Sequence, residues 1–97
     1  MSITVIIELQ IKPTKLEAVR SLSTAFLRET RVREGNESVT VHQDTDCPAT
    51  IILVEKWRSK KLYESYTRWR AEKGDYERLS GLLGTPLIRR FFDQVKV

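Results

Sequence analysis

Residues 37–57 read ESVTVHQDTDCPATIILVEKW, and the fold turns on how this stretch divides. Residues 37–44 alternate, with Val39 and Val41 to one side and Thr40 and His42 to the other, the period of two of a half-buried strand. Asp44 through Ala49 holds Asp46, Cys47 and Pro48, turn formers in a segment long enough only for a hairpin loop. Thr50 to Trp57 is dense in branched residues and predicts a second strand. So short a loop makes the two strands antiparallel.

Moving toward the N-terminus, Glu34-Gly35-Asn36 is a turn, and the segment before it changes period. Leu16, Val19, Phe26 and Leu27 recur at helical spacing with Ser23 and Thr30 in the same stripe, while Arg20, Arg28 and Arg31 fall outside it. A helix over 14–32 is predicted, with Thr14 and Glu17 placed as a capping box. Before it, Ile3, Val5, Ile7, Leu9 and Ile11 alternate with Thr4, Ile6, Glu8, Gln10 and Lys12, a strand that Pro13 stops. Toward the C-terminus, Ser59 is placed to cap a helix whose stripe Leu62, Tyr66, Trp69 faces the sheet, leaving Lys60 and Glu64 outside. Gly74 breaks that helix, and Asp75 is expected to cap a short continuation carrying Leu79, Leu82 and Leu83. Gly84-Thr85-Pro86 ends it, and Leu87 to Val97 is expected as the last strand. The order β-α-β-β-α-β predicts an α+β protein, a ferredoxin-like split βαβ with an antiparallel sheet, as one domain over residues 1–97.

In that fold the helices cover one face of the sheet. Here both faces carry large apolar groups: Ile51 and Leu53 against Ile52 and Val54, and Leu87, Phe91 and Val95 against Ile88 and Phe92. A bare face of this kind is large enough to mark an interface, and a chain of 97 residues has a small core of its own. A homodimer through the uncovered sheet face is expected, with the last strand reaching toward the partner.

Composition narrows the function. One cysteine and one histidine exclude metal sites built on Cys and His clusters, and the lone Cys47 points to a reducing cytoplasm. No apolar run approaches the ~20 residues that span a bilayer. No basic leader precedes the first strand, so no secretory signal or membrane partner is expected. No glycine-rich turn stands ready for a flavin or nicotinamide nucleotide, and no cofactor is expected. The net charge of +4 is mild and scattered. An RNA-recognition reading needs glycines and aromatics on the central strands, which Thr50-Ile51-Ile52-Leu53-Val54-Glu55 lacks; no nucleic-acid partner is expected.

With residues 34–58 read together, and Glu55-Lys56-Trp57-Arg58-Ser59 closing a strand and opening a helix, the chain resembles the antibiotic biosynthesis monooxygenase family. The opening strand followed by Lys12-Pro13-Thr14-Lys15 extends the resemblance over essentially the whole chain. It implies a dimeric α+β barrel, each subunit with a small pocket between helices and sheet. It also implies oxidation of aromatic phenols or quinols by molecular oxygen without metal or flavin. Such chemistry needs a dry pocket, a flat apolar surface, a proton acceptor and positive potential for a phenolate.

The candidates for those roles are few. His42 and Tyr66 are the catalytic candidates, His42 because imidazole changes protonation nearest neutrality and Tyr66 because Arg70, one turn on, would favour its phenolate. Phe26, Trp57, Trp69 and Arg70 are the substrate-binding candidates, three flat rings and a cation. Relatives often carry a helix histidine where Tyr66 stands and a second at Ala71, a departure that removes the usual helix-borne acid and base. Glu55 is expected in a structural role, paired with a base at the dimer seam. The competing reading is a non-catalytic domain of the same family that binds a small molecule or only dimerises.

Overall fold

The structure, a computed structural model, describes residues 2–97. Strands β1 (Ile3–Gln10), β2 (Asn36–Gln43), β3 (Thr50–Trp57) and β4 (Ile88–Phe92) form one sheet in the order β2-β3-β1-β4. Every pair is antiparallel. Helices α1 (Leu16–Arg31), α2 (Lys60–Glu72) and α3 (Asp75–Ser80) complete the α+β, ferredoxin-like arrangement.

Register follows from the alternation. Val5 lies between Glu55 and Phe91, and Ile7 between Leu53 and Arg89, so odd positions of these strands face the helices together. Val5, Ile7, Leu9 and Ile11 are buried there with Trp57, Tyr63, Tyr66 and Leu83. The rings of this core are in contact: Trp57 lies 4.7 Å from Tyr66 and 5.5 Å from Tyr63, which meets Phe91 edge-on at 5.6 Å. Even positions, among them Ile6, Ile52, Val54, Ile88 and Phe92, line the opposite face, which no helix covers. Ile88 and Phe92 are exposed there.

Local chemistry explains the joints. Gly35 turns the chain at φ +93°, where an L side chain is strained, and its carbonyl accepts from Arg58 N at 2.7 Å. A Cβ at this position would stand 2.7 Å from Leu62 Cβ, so only glycine lets α2 approach the turn. Ser59 caps α2 as expected, its Oγ accepting from Leu62 N.

Several expectations are corrected. Thr14 makes no capping bond: Pro13–Lys15 is a 3-10 turn, and α1 starts after it without a side-chain cap. Asp75 is not a cap either; Gly74, at φ +76°, takes that position and the Asp75 carboxylate turns inward to Arg70 and Arg78. The first strand ends at Gln10, with Ile11 held by a single bridge to Leu83, and β4 covers only Ile88–Phe92 of the expected 87–97. On α2, Tyr66 is buried, Trp69 is half-buried against the core and Lys60 and Glu64 are exposed, as expected, but the fully buried stripe is Tyr63, Tyr66 and Arg70, with Leu62 and Trp69 at its edges. A charged residue in that stripe hid its centre from any hydropathy pattern.

Candidate functional site

Between α1 and the helix-facing side of the sheet lies a cavity of about 330 Å³. That is within the ~300–1,000 Å³ of small-molecule sites. Its walls are mostly apolar: Ile7 and Leu9 from β1, Leu53 from β3, Val19 and Phe26 from α1, and Leu79 from α3. The cavity exists because α1 packs loosely. Of its sixteen residues only Thr30 is fully buried. The small, half-buried Ser23 stands in the lining between Val19 and Phe26, where a larger side chain would take up part of the space.

Polar groups enter this lining in two sets. Glu29, Lys73, Asp75 and Arg78 form one, and they are bound to one another or to Arg70. Glu55, Tyr66 and Tyr76 form the other.

Arg70 organises the first set. Its guanidinium has no exposed surface and spends every arm on the protein. Nε donates to Tyr66 OH at 2.9 Å, Nη1 to Glu29 and Asp75 at 2.8 Å each, and Nη2 to the Phe26 carbonyl at 2.7 Å and Thr30 Oγ1 at 3.1 Å. It also lies 3.7 Å from the Phe26 ring centre. Arg70 therefore ties α1 to α2 and α3, and it has no arm free for a ligand. Burial alone would raise the Asp75 carboxyl, but the bond from Arg70 and the nearby cations hold it below the ordinary carboxylate range. Glu29 is lowered by its bonds to Arg70 and Lys73.

Tyr66 lines the cavity, yet its hydroxyl is engaged. It accepts from Arg70 and sits 2.8 Å from Thr30 Oγ1. The Thr30 hydroxyl is 3.0 Å from the Phe26 carbonyl and donates there, so the Tyr66 proton is the one shared with Thr30. Burial, the largest influence, pushes Tyr66 above the ordinary phenol value, against the expectation that Arg70 would lower it. Phe26 lines the cavity as expected. Trp57 is fully buried behind the lining, packed on Tyr63 and Tyr66. Trp69 lies farther out, stacked with the cations of Arg33 and Lys73. His42 is exposed on the sheet face away from the helices, 2.9 Å from Thr40 Oγ1. The six candidates are thus dispersed: Phe26 and Tyr66 meet the cavity, and Trp57, Trp69 and Arg70 support its walls.

Two groups escaped sequence reasoning. Glu55 lies on the helix-facing side of the sheet, away from the uncovered face. It is 2 % exposed, lines the cavity and accepts from Trp57 Nε1 at 2.8 Å. Burial raises its carboxyl above the ordinary range, and the Trp57 bond, Arg89 and Arg70 only partly oppose this. Its odd position in β3, shared with Leu53 and Trp57, was the available signal. Behind it, Tyr63 OH and Arg89 Nε are buried without a partner, and the Arg89 guanidinium lies 5.9 Å from the Tyr63 ring and 5.4 Å from that of Tyr76. Among the described residues no group of three or more His, Cys, Asp or Glu could hold a metal ion, and no helix is long and apolar enough to cross a membrane.

This split βαβ sheet with an apolar cavity beneath its first helix defines a class of small α+β domains. Residues 2–73 match the model of the antibiotic biosynthesis monooxygenase family, and the chain belongs to that family. Among solved structures it is similar to a conserved protein from Methanosarcina mazei Go1, with a TM-score of 0.90 and 22% identity over 98% of this chain and 94% of that one. It is similar as well to Rv0793 from Mycobacterium tuberculosis, with a TM-score of 0.80 and 21% identity over 100% and 98% of the two chains. A third, described as an antibiotic biosynthesis monooxygenase, gives a TM-score of 0.88 at 16% identity over 97% and 99%. At these identities the structural likeness carries the fold alone. No curated protein matches the sequence.

Proposed function

We propose that the protein is a cofactor-independent monooxygenase that oxidises a small, flat phenol or quinol-type compound with molecular oxygen. The observation that carries this reading is the cavity itself, an apolar slot of about 330 Å³ with one carboxyl, Glu55, in its wall that has no salt-bridge partner among the described residues. A deprotonated, electron-rich phenol can reduce oxygen unaided, so the protein needs only to bind, deprotonate and shield it. At an activated ring CH₂, one oxygen atom becomes the new carbonyl oxygen and the other leaves with both hydrogens as water. Family membership supports the class of reaction, while the substrate rests on the shape and lining of the slot.

The uncovered sheet face supports a homodimer, because Ile6, Ile52, Val54, Ile88 and Phe92 give one protomer's sheet an apolar surface for its partner. His42 belongs to that same face.

Oxygen uptake and absorbance changes with a panel of hydroquinones, anthrones and naphthols test the activity against uncatalysed autoxidation. Turnover above that background is expected for at least one of them. If none exceeds it, the catalytic reading fails. One observation favours a binding-only domain as the second reading: the Tyr66 hydroxyl is already committed to Thr30 and Arg70, and His42 lies outside the cavity. Such a domain would bind the same compounds and leave their oxidation rate unchanged.

A further inference from the structure

We propose that Glu55 is the proton acceptor of the cavity, taking the phenolic proton of a bound aromatic onto its open oxygen, Oε2. The inference rests on the proposed substrate class and deepens it by assigning the base.

The carboxyl is held in one orientation. Oε1 accepts from Trp57 Nε1 at 2.8 Å, and the indole is itself fixed, with no exposed surface and two tyrosine rings against it. No donor among the described residues reaches Oε2. Nor is Oε2 sealed in protein, since the enclosed side-chain atoms without a partner are Tyr63 OH and Arg89 Nε. Glu55 is otherwise buried and lines the cavity, so the space that Oε2 meets is the cavity.

Most other polar groups of the lining are occupied. Glu29 and Asp75 accept from Arg70, Lys73 and Arg78 are bound to them, Ser23 Oγ donates to the Val19 carbonyl, and the Tyr66 proton is shared with Thr30. The Tyr76 hydroxyl has no side-chain partner among the described residues, but burial pushes it above the ordinary phenol value, so it is a proton donor rather than an acceptor. The groups that face Glu55 are Arg89 from β4, Arg70, Tyr63 and Tyr66 from α2, and Tyr76 from α3. None is a salt-bridge partner. A carboxylate buried in an apolar wall with no salt-bridge partner, and with Arg89 and Arg70 only partly offsetting the burial, holds a proton more tightly than one in water, which brings its basicity toward that of a phenol. Holding Trp57 alone would not require a charge, because a glutamine oxygen accepts the same bond.

The step balances as a proton transfer. The phenolic O–H bond breaks and an O–H bond forms at Glu55 Oε2. The negative charge passes from the carboxylate to the phenolate oxygen, and no oxidant or reductant takes part. Oxygen enters afterwards, by the proposed reaction.

The test separates proton transfer from oxidation. 4-Nitrophenol is added to the full chain under nitrogen, at a pH where the free phenol is mostly neutral. Wild type is expected to bind it as the yellow phenolate, with a carboxylic-acid C=O band appearing in the infrared difference spectrum. Glu55→Gln, which keeps the acceptor for Trp57 Nε1, is expected to bind the colourless phenol with similar affinity and to lose about 10²-fold or more of any oxidase turnover. Wild type that binds only the neutral phenol, or a Glu55→Gln variant that still forms the phenolate, overturns the assignment. The infrared band in wild type needs no variant, so its absence overturns the assignment even if Glu55→Gln fails to fold. If wild type forms the phenolate but oxidises nothing above background, Glu55 stands as the acceptor and the oxygenase reading alone falls. If wild type does not bind the probe, the assignment falls, and the oxygenase reading is decided separately by the oxygen-uptake panel.

Discussion

Replacing Arg70 with methionine removes the largest single polar tie in the molecule, and its cost can be worked from the contacts. The guanidinium makes five hydrogen bonds that join α1, α2 and α3, with no surface exposed to water. Methionine fills much of the volume against Phe26 but leaves the Phe26 carbonyl without its cationic donor and Asp75 without its best partner. Removing one member of a buried ion pair costs ~3–5 kcal/mol. Asp75 keeps Arg78 and Lys73, so the lower end applies, about 3 kcal/mol. A domain of this size has ~5–15 kcal/mol in total and loses ~4–8 °C of Tm per kcal/mol, so a fall of roughly 12–24 °C is expected. Circular dichroism melts and urea titrations at one fixed protein concentration measure it, since a dimer makes both midpoints concentration-dependent. Arg70→Lys keeps the charge without the planar fork and should fall between wild type and Arg70→Met. A loss below about 1 kcal/mol for Arg70→Met would refute the assignment of Arg70 as the clamp on α1.

Three further outcomes are expected. Gly35→Ala should cost about 2–3 kcal/mol in a urea titration, because it combines a positive φ with a 2.7 Å approach to Leu62 Cβ. Asp75 and Glu29 titrate below their ordinary values in the folded state, so their contribution is complete above the unfolded carboxylate pKa and is lost as pH falls through the folded ones. Urea midpoints followed into acid should therefore drop steeply for wild type and less steeply for Asp75→Asn; parallel curves would refute the linkage. Val54→Asp places a charge on the uncovered sheet face and should shift the protein from dimer to monomer in sedimentation velocity, and a wild type that sediments as a monomer would remove the seam.

The topology was legible in the sequence because it rests on two periods. Odd positions of residues 3–11 and 51–57 are the helix-facing ones, and Ser59 and Gly74 mark the ends of α2. The site was less legible, and Arg70 shows why. Hydropathy assigns an arginine to water, whereas five partners from three helices make this one a core residue. Those partners, Phe26, Glu29, Thr30, Tyr66 and Asp75, are scattered along the chain and come together only in the fold. Glu55 misled for the same reason. Its neighbours in sequence resemble a family motif, but its setting is fixed by parity within β3 and by the Trp57 indole two residues on. Thr14 and Asp75 carry the right chemistry for caps, and each lost the position to its surroundings, one to a 3-10 turn and the other to a buried guanidinium.

Parity along β3 also bears on how such a protein can change. Ile51, Leu53 and Glu55 look toward the cavity side, and Ile52 and Val54 toward the other face, so two surfaces with different tasks are written on alternate letters of one eight-residue strand. Point substitutions at odd positions can reshape the cavity while the outer face keeps its pattern, and the reverse holds for even positions. Insertion or deletion is another matter. Gaining or losing a single residue inside β3 would exchange the two sets beyond that point, turning Val54 inward and Glu55 outward in one event. The strand can therefore tolerate drift in what it contacts but not in its length, whereas a change of length within the exposed turn at 45–47 leaves the parity of β3 untouched.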